Sequence, residues 1–368
     1  MQHVEPGDFI SHLRTFQGGL ELAREPGKVS PAYTVITPTR MVFPGFFRYV
    51  LKSQGYISQI ASVTDQLRDG QSMHFPEFNE TWLPLPPLAS QHLIADYLDH
   101  ETAEIDAMVA DQTRMRTLSD ERQASSVWHS VTGGTSTDGT PQATEWFGSL
   151  PPGWIAEKLS WLFSNIGSGT TPRTEDESSF DGDINWVTTS ELREKPVEST
   201  TRKVSPSTIA AYPALKVFNP GTLMIAMYGA TIGRMGWLEE RATVNQAVCA
   251  LSGYTAGPDR FPYYALLAAR KHIVNLASGG GQPNVSQEKI RSLRIPVPPK
   301  SEQQAIVAQL DQEEAEFRSF RQDIDRAIAL AKERRAALIT AAVTGQIDVS
   351  AKNRPAAEQL EDDIKELP

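Results

Sequence analysis

Four short segments of this chain combine glycine or proline with side chains able to hydrogen-bond a flat, polar ligand edge. Ser168-Gly169-Thr170-Thr171-Pro172-Arg173 offers backbone amides, hydroxyls and a guanidinium. Thr188, Thr189 and Ser190 follow a β-rich run, and Tyr228 to Arg234 is a glycine-flanked turn ending in a cation. Gly279 to Asn284 supplies two carboxamides, Gln282 and Asn284. A carboxamide pairs bidentately with adenine, and guanidinium and hydroxyl groups grip guanine edges or phosphates. The candidates for contact with nucleic acid are Ser168, Thr170, Thr171, Arg173, Thr188, Thr189, Ser190, Tyr228, Thr231, Arg234, Gln282 and Asn284. Each has a plainer reading as an ordinary turn residue, because Gly and Thr also serve backbone geometry. Tyr228 could equally be a core-edge residue, and Arg234 could pair with Glu239 or Glu240. Lys158, Lys203 and Lys216 are generic phosphate candidates.

Other chemistries find no residues to carry them. There is no Walker A sequence, no Asn-Pro-Pro-Tyr and no Phe-x-Gly-x-Gly of the kind an adenine methyltransferase needs. Seven His and one Cys give no metal-ligand spacing. No Ser/His/Asp set stands out, so no catalytic residue, metal site or cofactor of the chain itself is assigned. The single Cys249 excludes a disulfide framework and suits a reducing cytoplasm. MQHVEPGDF does not read as a signal peptide, and no apolar run approaches the ~18 residues of a membrane helix. The expectation is a cytoplasmic protein without a membrane partner. The net charge of −10 looks wrong for a nucleic-acid binder, but it is unevenly placed. Residues 90–132 hold 3 basic and 8 acidic residues, 301–344 hold 6 and 8, and 346–368 hold 3 and 6. The remaining segments balance, which leaves room for a DNA-facing surface.

The elements that must position the loops are organised by a repeat. Segments 83–133 and 295–345 align without gaps. Pro86/Pro298, Gln91/Gln303, Ile94/Ile306, Leu98/Leu310, Asp99/Asp311, Glu101/Glu313, Arg122/Arg334 and Gly133/Gly345 are all 212 apart. Two copies of one structural unit follow. After each proline pair comes a long helix-prone run, ended by Gly133 or Gly345. The apolar pattern has a period near seven. One row in the second copy is Leu310, Phe317, Ile324, Ala331 and Leu338, and the other is Ile306, Glu313, Phe320, Ala327 and Arg334. The first copy gives Leu98, Ile105, Gln112, Ser119, Ser126 and Ile94, Glu101, Met108, Met115, Arg122. The helices are expected to pair with each other through Ile94, Leu98, Ile105, Met108, Ile306, Leu310, Phe317, Phe320, Ile324 and Leu338. The alternative is two unrelated helices, each packed on its own domain.

Residues 133–153 read as a polar linker and 346–368 as a polar tail expected to be disordered. Residues 154–300 read as a globular α/β domain, with β-rich runs at 184–189, 222–229 and 243–251 and helices near 260–276 and 286–292. Part of that domain recurs before the first helix. Val4-Glu5-Pro6-Gly7-Asp8-Phe9 resembles Phe218-Asn219-Pro220-Gly221-Thr222-Leu223, Lys28 to Ala32 resembles Thr243 to Ala247, and Gly70-Gln71 resembles Gly281-Gln282. Residues 153–218 find no counterpart in the first copy, so 1–89 is expected to be a partial domain.

Domain, long helix, domain, long helix, with near-identical helices, resembles the specificity subunit of type I restriction–modification systems. The residues that carry the resemblance are Trp154 with the 167–172 loop, Asn219-Pro220-Gly221, Tyr228 to Arg234, and Gly281-Gln282-Pro283-Asn284-Val285-Ser286. The strongest stretch is Ile295-Pro-Val-Pro-Pro-Lys-Ser-Glu-Gln-Gln-Ala-Ile306, with Val343-Thr344-Gly345-Gln346-Ile347 at the helix end. The resemblance implies α/β (α+β) target recognition domains at 1–89 (partial) and 154–300, each reading half of a split DNA sequence. Spacer helices at 90–132 and 301–345 would form an antiparallel coiled coil that sets the half-site spacing. In that arrangement Glu101 could approach Arg334, and Glu313 could approach Arg122. The helices would dock two methylation subunits, joined by restriction subunits when present. Those partners would use S-adenosylmethionine, and ATP with Mg for restriction, while this chain does no chemistry. The alternative is a truncated scaffold that binds the methylation subunit without specific DNA recognition.

Overall fold

A computed structural model of the chain describes residues 1–11, 18–63, 78–134, 146–173, 177–278 and 283–349. Most of the expected linker and tail, and the Gly70-Gln71 match, lie outside the described residues. In chain order the first elements are β1 (Gln2–Val4), β2 (Phe9–Ile10), β3 (Glu21–Leu22), β4 (Gly27–Val29), β5 (Val35–Ile36), α1 (Pro44–Val50), α2 (Gln54–Val63) and α3 (Leu88–Thr132). Next come β6 (Ile155–Lys158), α4 (Leu159–Leu162), β7 (Phe163–Gly167), β8 (Ile184–Val187), β9 (Lys195–Val197), β10 (Lys203–Val204), α5 (Pro206–Ala211), β11 (Leu223–Ala226), β12 (Met235–Leu238), β13 (Ala242–Val244) and β14 (Val248–Tyr254). The chain continues with α6 (Phe261–Ala268), α7 (Arg270–Asn275), α8 (Gln287–Ser292), β15 (Arg294–Val297) and α9 (Lys300–Val343). These elements form two compact units, residues 1–117 with 321–368, and residues 118–320.

In the first unit β2 lies between β3 and β5, and β1 pairs antiparallel with β4. Phe9, Leu20, Phe46, Tyr56 and Ile60 bury against Ala95 and Leu98 of α3 and Ile339, Ala342 and Val343 of α9. The second unit carries the fuller version of the same sheet, ordered β7-β14-β11-β12-β9. Here β14, β11 and β12 stand where β5, β2 and β3 stand in the first unit. The outer strands β7 and β9 come from the region without a counterpart.

The central strands of that sheet are buried on both faces, and their side chains alternate between two cores, as a two-sided strand requires. Leu223, Ile225, Cys249 and Leu251 face one core, shared with Phe261, Tyr264 and Ile273. Met224, Ala226, Val248 and Ala250 face the other, shared with Val187 and Val244 of a second sheet ordered β10-β8-β13. Burial pushes the Cys249 thiol up to about 12, so it stays protonated.

Within each unit the long helices pack antiparallel. In the first unit Arg116 pairs with Asp325 at 2.7 Å and Arg335 with Asp106 at 2.9 Å. The ten-residue step from 106 to 116 matches the ten-residue step from 325 to 335, run in opposite directions. In the second unit Val127 and Val131 share a core with Val307 and Leu310. Both helices end alike. Gly133 and Gly345 adopt φ of +72° and +74°, and Gly134 N–H to His129 O (2.9 Å) matches Gln346 N–H to Ala341 O (2.8 Å). This left-handed closure needs glycine because a Cβ would crowd the following carbonyl.

The seam departs from the heptad reading by one residue. Leu98, Ile105, Leu310 and Ile324 are buried, and Ile94, Ile306, Phe317 and Leu338 half-buried. Met108 and Phe320, expected on the seam, are 44% and 40% exposed. Their places are taken by the next row: Thr102, Val109 and Gln123 on α3, and Val307, Glu314, Ile328, Arg335 and Ala342 on α9, all buried or half-buried. The expected Glu101–Arg334 and Glu313–Arg122 pairs do not form among the described residues. Glu313 accepts instead from Ser126 and Gln309, and Arg335, not its exposed neighbour Arg334, faces α3.

Candidate nucleic-acid interface

Strand topology brings the predicted loops to one end of the second unit's domain. β14 is antiparallel to both β7 and β11, with Ala250 opposite Gly167 and Val248 opposite Ala226. The loops that follow β7 and β11 therefore leave beside the start of β14. β13 runs parallel to β8 with Val244 beside Val187, so residues 188–191 emerge next to the turn that enters β14. Loops at one end of a sheet are mobile enough to fit a ligand and are carried on a rigid frame.

The turn at residues 245–247 ties these loops together. Asn245 N–H donates to Val187 O (2.9 Å), Gly169 N–H to Asn245 O (3.3 Å) and Met227 N–H to Ala247 O (2.8 Å). A Cβ on Gly169 would sit 1.8 Å from Val244 O, so only glycine permits this approach. The 283–285 segment joins through Gly229 N–H to Pro283 O (3.0 Å) and Val285 N–H to Met227 O (2.8 Å). The run 243–251 had read as one strand. The structure breaks it because the Asn245 side-chain oxygen accepts from Ala247 N–H (3.0 Å), forming a local turn that competes with the ladder.

The candidate side chains divide by what already occupies them. Thr188 and Ser190 hydroxyls hydrogen-bond to each other and to the Glu191 carboxylate, and the Thr231 hydroxyl donates to Tyr228 O. These three serve their own turns, as the plainer reading allowed. Ser168 donates to Gln287 (3.3 Å), Thr170 O accepts from the Trp186 indole, and Thr189 is half-buried between its neighbours. Tyr228 is 41% exposed. Arg173 is exposed and Arg234 half-buried, and Glu239 takes the Trp237 indole N–H. Asn284 is half-buried, its backbone bridged to Tyr228 and Ser278. Gln282 lies outside the described residues. Of the lysines, Lys158 sits on β6 opposite Arg294, Lys203 on β10 opposite Asn185, and Lys216 is exposed. Two residues at the centre, Asn245 and Gln246, were missed. The signal was a pair of carboxamides interrupting an apolar run.

No group of three or more His, Cys, Asp or Glu residues is arranged to hold a metal ion among the described residues. No described helix is long and apolar enough to cross a membrane.

Comparison with known proteins points the same way as the sequence. The family model for the type I restriction modification DNA specificity domain matches residues 162–326. The chain is similar to the type I restriction enzyme MjaIX specificity subunit of Methanocaldococcus jannaschii, 22% identical over 44% of this chain and 38% of that protein. It is 23% identical to the EcoKI specificity subunit of Escherichia coli over 85% of this chain and 68% of that one. A structure from work on complex assembly and conformational transition of the type I R-M system matches with a TM-score of 0.66 at 20% identity, covering 93% and 83% of the two chains. The HsdS subunit of Thermoanaerobacter tengcongensis matches with a TM-score of 0.51 at 18% identity, covering 94% and 82%. The chain thus spans about two fifths of the first curated relative and two thirds of the second.

Proposed function

We propose that this chain, which belongs to the type I restriction–modification specificity subunits, recognises the DNA target of such a complex through the loops at 168–173, 188–190, 228–234 and 282–284. It is itself non-catalytic. The observation that carries the reading is the gathering of three of these loops, with residues 283–285 of the fourth, around the 245–247 turn at one end of the sheet. Residues 154–300 read one half of a split target, and residues 1–89 contribute to the other. Exposed Arg173 and half-buried Arg234 supply phosphate contacts, which position the domain, while loop side chains reach base edges. The paired helices dock two methylation subunits, which use S-adenosylmethionine. Restriction subunits that use ATP and Mg join that core when present. The complex works in the cytoplasm on double-stranded DNA.

The test is a methylation map. The chain is expressed with its cognate methylation subunit in a host lacking adenine methylation, and methyl-adenine is located genome-wide by long-read sequencing. The expected result is a motif with two defined parts separated by a fixed gap. An assembled complex that methylates nothing would overturn the reading and leave a scaffold.

A further inference from the structure

We propose that Gln246 is a specificity-determining residue of the second domain, and that the base it reads is adenine. The inference rests on the DNA-recognition reading above and names one of its readers.

Position comes first. The 245–247 turn is hydrogen-bonded through its backbone to the end of β8 and to the loops after β7 and β11, so it sits among them and cannot shift alone. Its two carboxamides then differ in availability. Asn245 spends its side-chain oxygen on Ala247 N–H and is half-buried. Gln246 is exposed.

Orientation comes second. The Thr171 hydroxyl donates to Gln246 Oε1 at 2.6 Å, from the loop that also carries Arg173. That bond holds a side chain that would otherwise rotate, with Oε1 turned towards Thr171. It leaves one lone pair on Oε1 and both hydrogens on Nε2, which has no hydrogen bond among the described residues. An acceptor beside a donor in one plane complements the N6–H and N7 edge of adenine. Guanine presents O6 and N7, two acceptors, and would leave Oε1 facing an oxygen. Thr171 acts through Gln246 and is a positioning residue.

Methylation maps of Gln246→Ala, Gln246→Glu and Thr171→Val, each expressed as the full chain with the cognate methylation subunit, test this. Gln246→Ala should relax one position of one half-site, with the preference for adenine there falling roughly 5- to 150-fold, the range of one bidentate contact. The other half-site and the gap should not change. Gln246→Glu should move the preference at that position towards cytosine, whose N4–H needs an acceptor. Thr171→Val should relax the same position less. A Gln246→Ala motif identical to the parent's, whether methylation is at full level or uniformly lowered, would overturn the assignment, because a purely structural role lowers methylation without changing the motif. A parent complex that assembles but methylates nothing would defeat the recognition reading and this assignment with it. A parent with a split motif and an unchanged Gln246→Ala motif would defeat the assignment alone.

Discussion

The two domain–helix junctions are the same joint built with different charges. In each, a fully buried glutamine near the helix start donates to the carbonyl of the first proline in the preceding pair: Gln91 to Pro86 O and Gln303 to Pro298 O, both at 2.8 Å. Each also donates to its own domain, Gln91 to Met41 O and Gln303 to Ala256 O. In each, a tyrosine hydroxyl donates to the aligned aspartate, Tyr49 to Asp99 at 2.5 Å and Tyr264 to Asp311 at 2.6 Å. The joints differ at the next contact. Tyr49 meets the neutral Thr102, with Arg48 on Asp99, whereas Tyr264 meets Glu314, and Arg260 and Arg318 balance the extra carboxylate. Arg260 lies 3.7 Å from the centre of the Trp237 ring, which covers it. A second carboxylate taken from water must gain partners, and the second joint has two arginines where the first has one, with Arg260 reaching both Asp311 and Glu314. The repeat therefore holds positions fixed where helix and domain meet, and lets residue type vary only where the charge remains balanced.

The seam should show the equivalence most strongly. Leu98 and Leu310 are aligned, 0% and 1% exposed, and each enters its own domain's core. Replacing either with Ala should cost about 2–5 kcal/mol and lower the urea midpoint. A loss confined to Leu310→Ala would mean that the first domain does not depend on its helix. The tyrosines should show the difference. Tyr264→Phe removes a hydroxyl shared by two carboxylates, and Tyr49→Phe one shared by a carboxylate and a neutral threonine, so each should cost about 1.5–3 kcal/mol, with Tyr264→Phe the larger. Equal drops in Tm would remove the charge distinction. Smallest of all, Met108→Ala and Phe320→Ala should change stability by less than about 0.5 kcal/mol. A cost of about 2 kcal/mol or more at either would return the second seam row to its heptad position.

That row shows where sequence reasoning stopped. The repeat, the proline-led helix starts, the glycine closures and the row through Leu98 and Leu310 are legible because each is a local pattern with one solution. The second row is not, because it is partly polar. Thr102 and Glu314 occupy it to meet the domain tyrosines, and Arg116 and Arg335 to pair across the helices. Counting apolar residues favours the neighbouring row, whose Met108 and Phe320 are exposed. The loops could be named from their Gly, Thr and Arg content. That Thr188, Ser190 and Thr231 are engaged within their own turns is settled by neighbours one to three residues away, whereas Gln246 is held by Thr171, a partner 75 residues away in sequence.

The burial of Cys249 has a practical consequence. It is the only cysteine of the chain and is fully buried, with its thiol held protonated. Any cysteine introduced at the surface would be the sole reactive thiol. Placed in the 245–247 turn, it could carry one spectroscopic label, or form one disulfide to a thiol-tethered base, without altering the native sequence elsewhere.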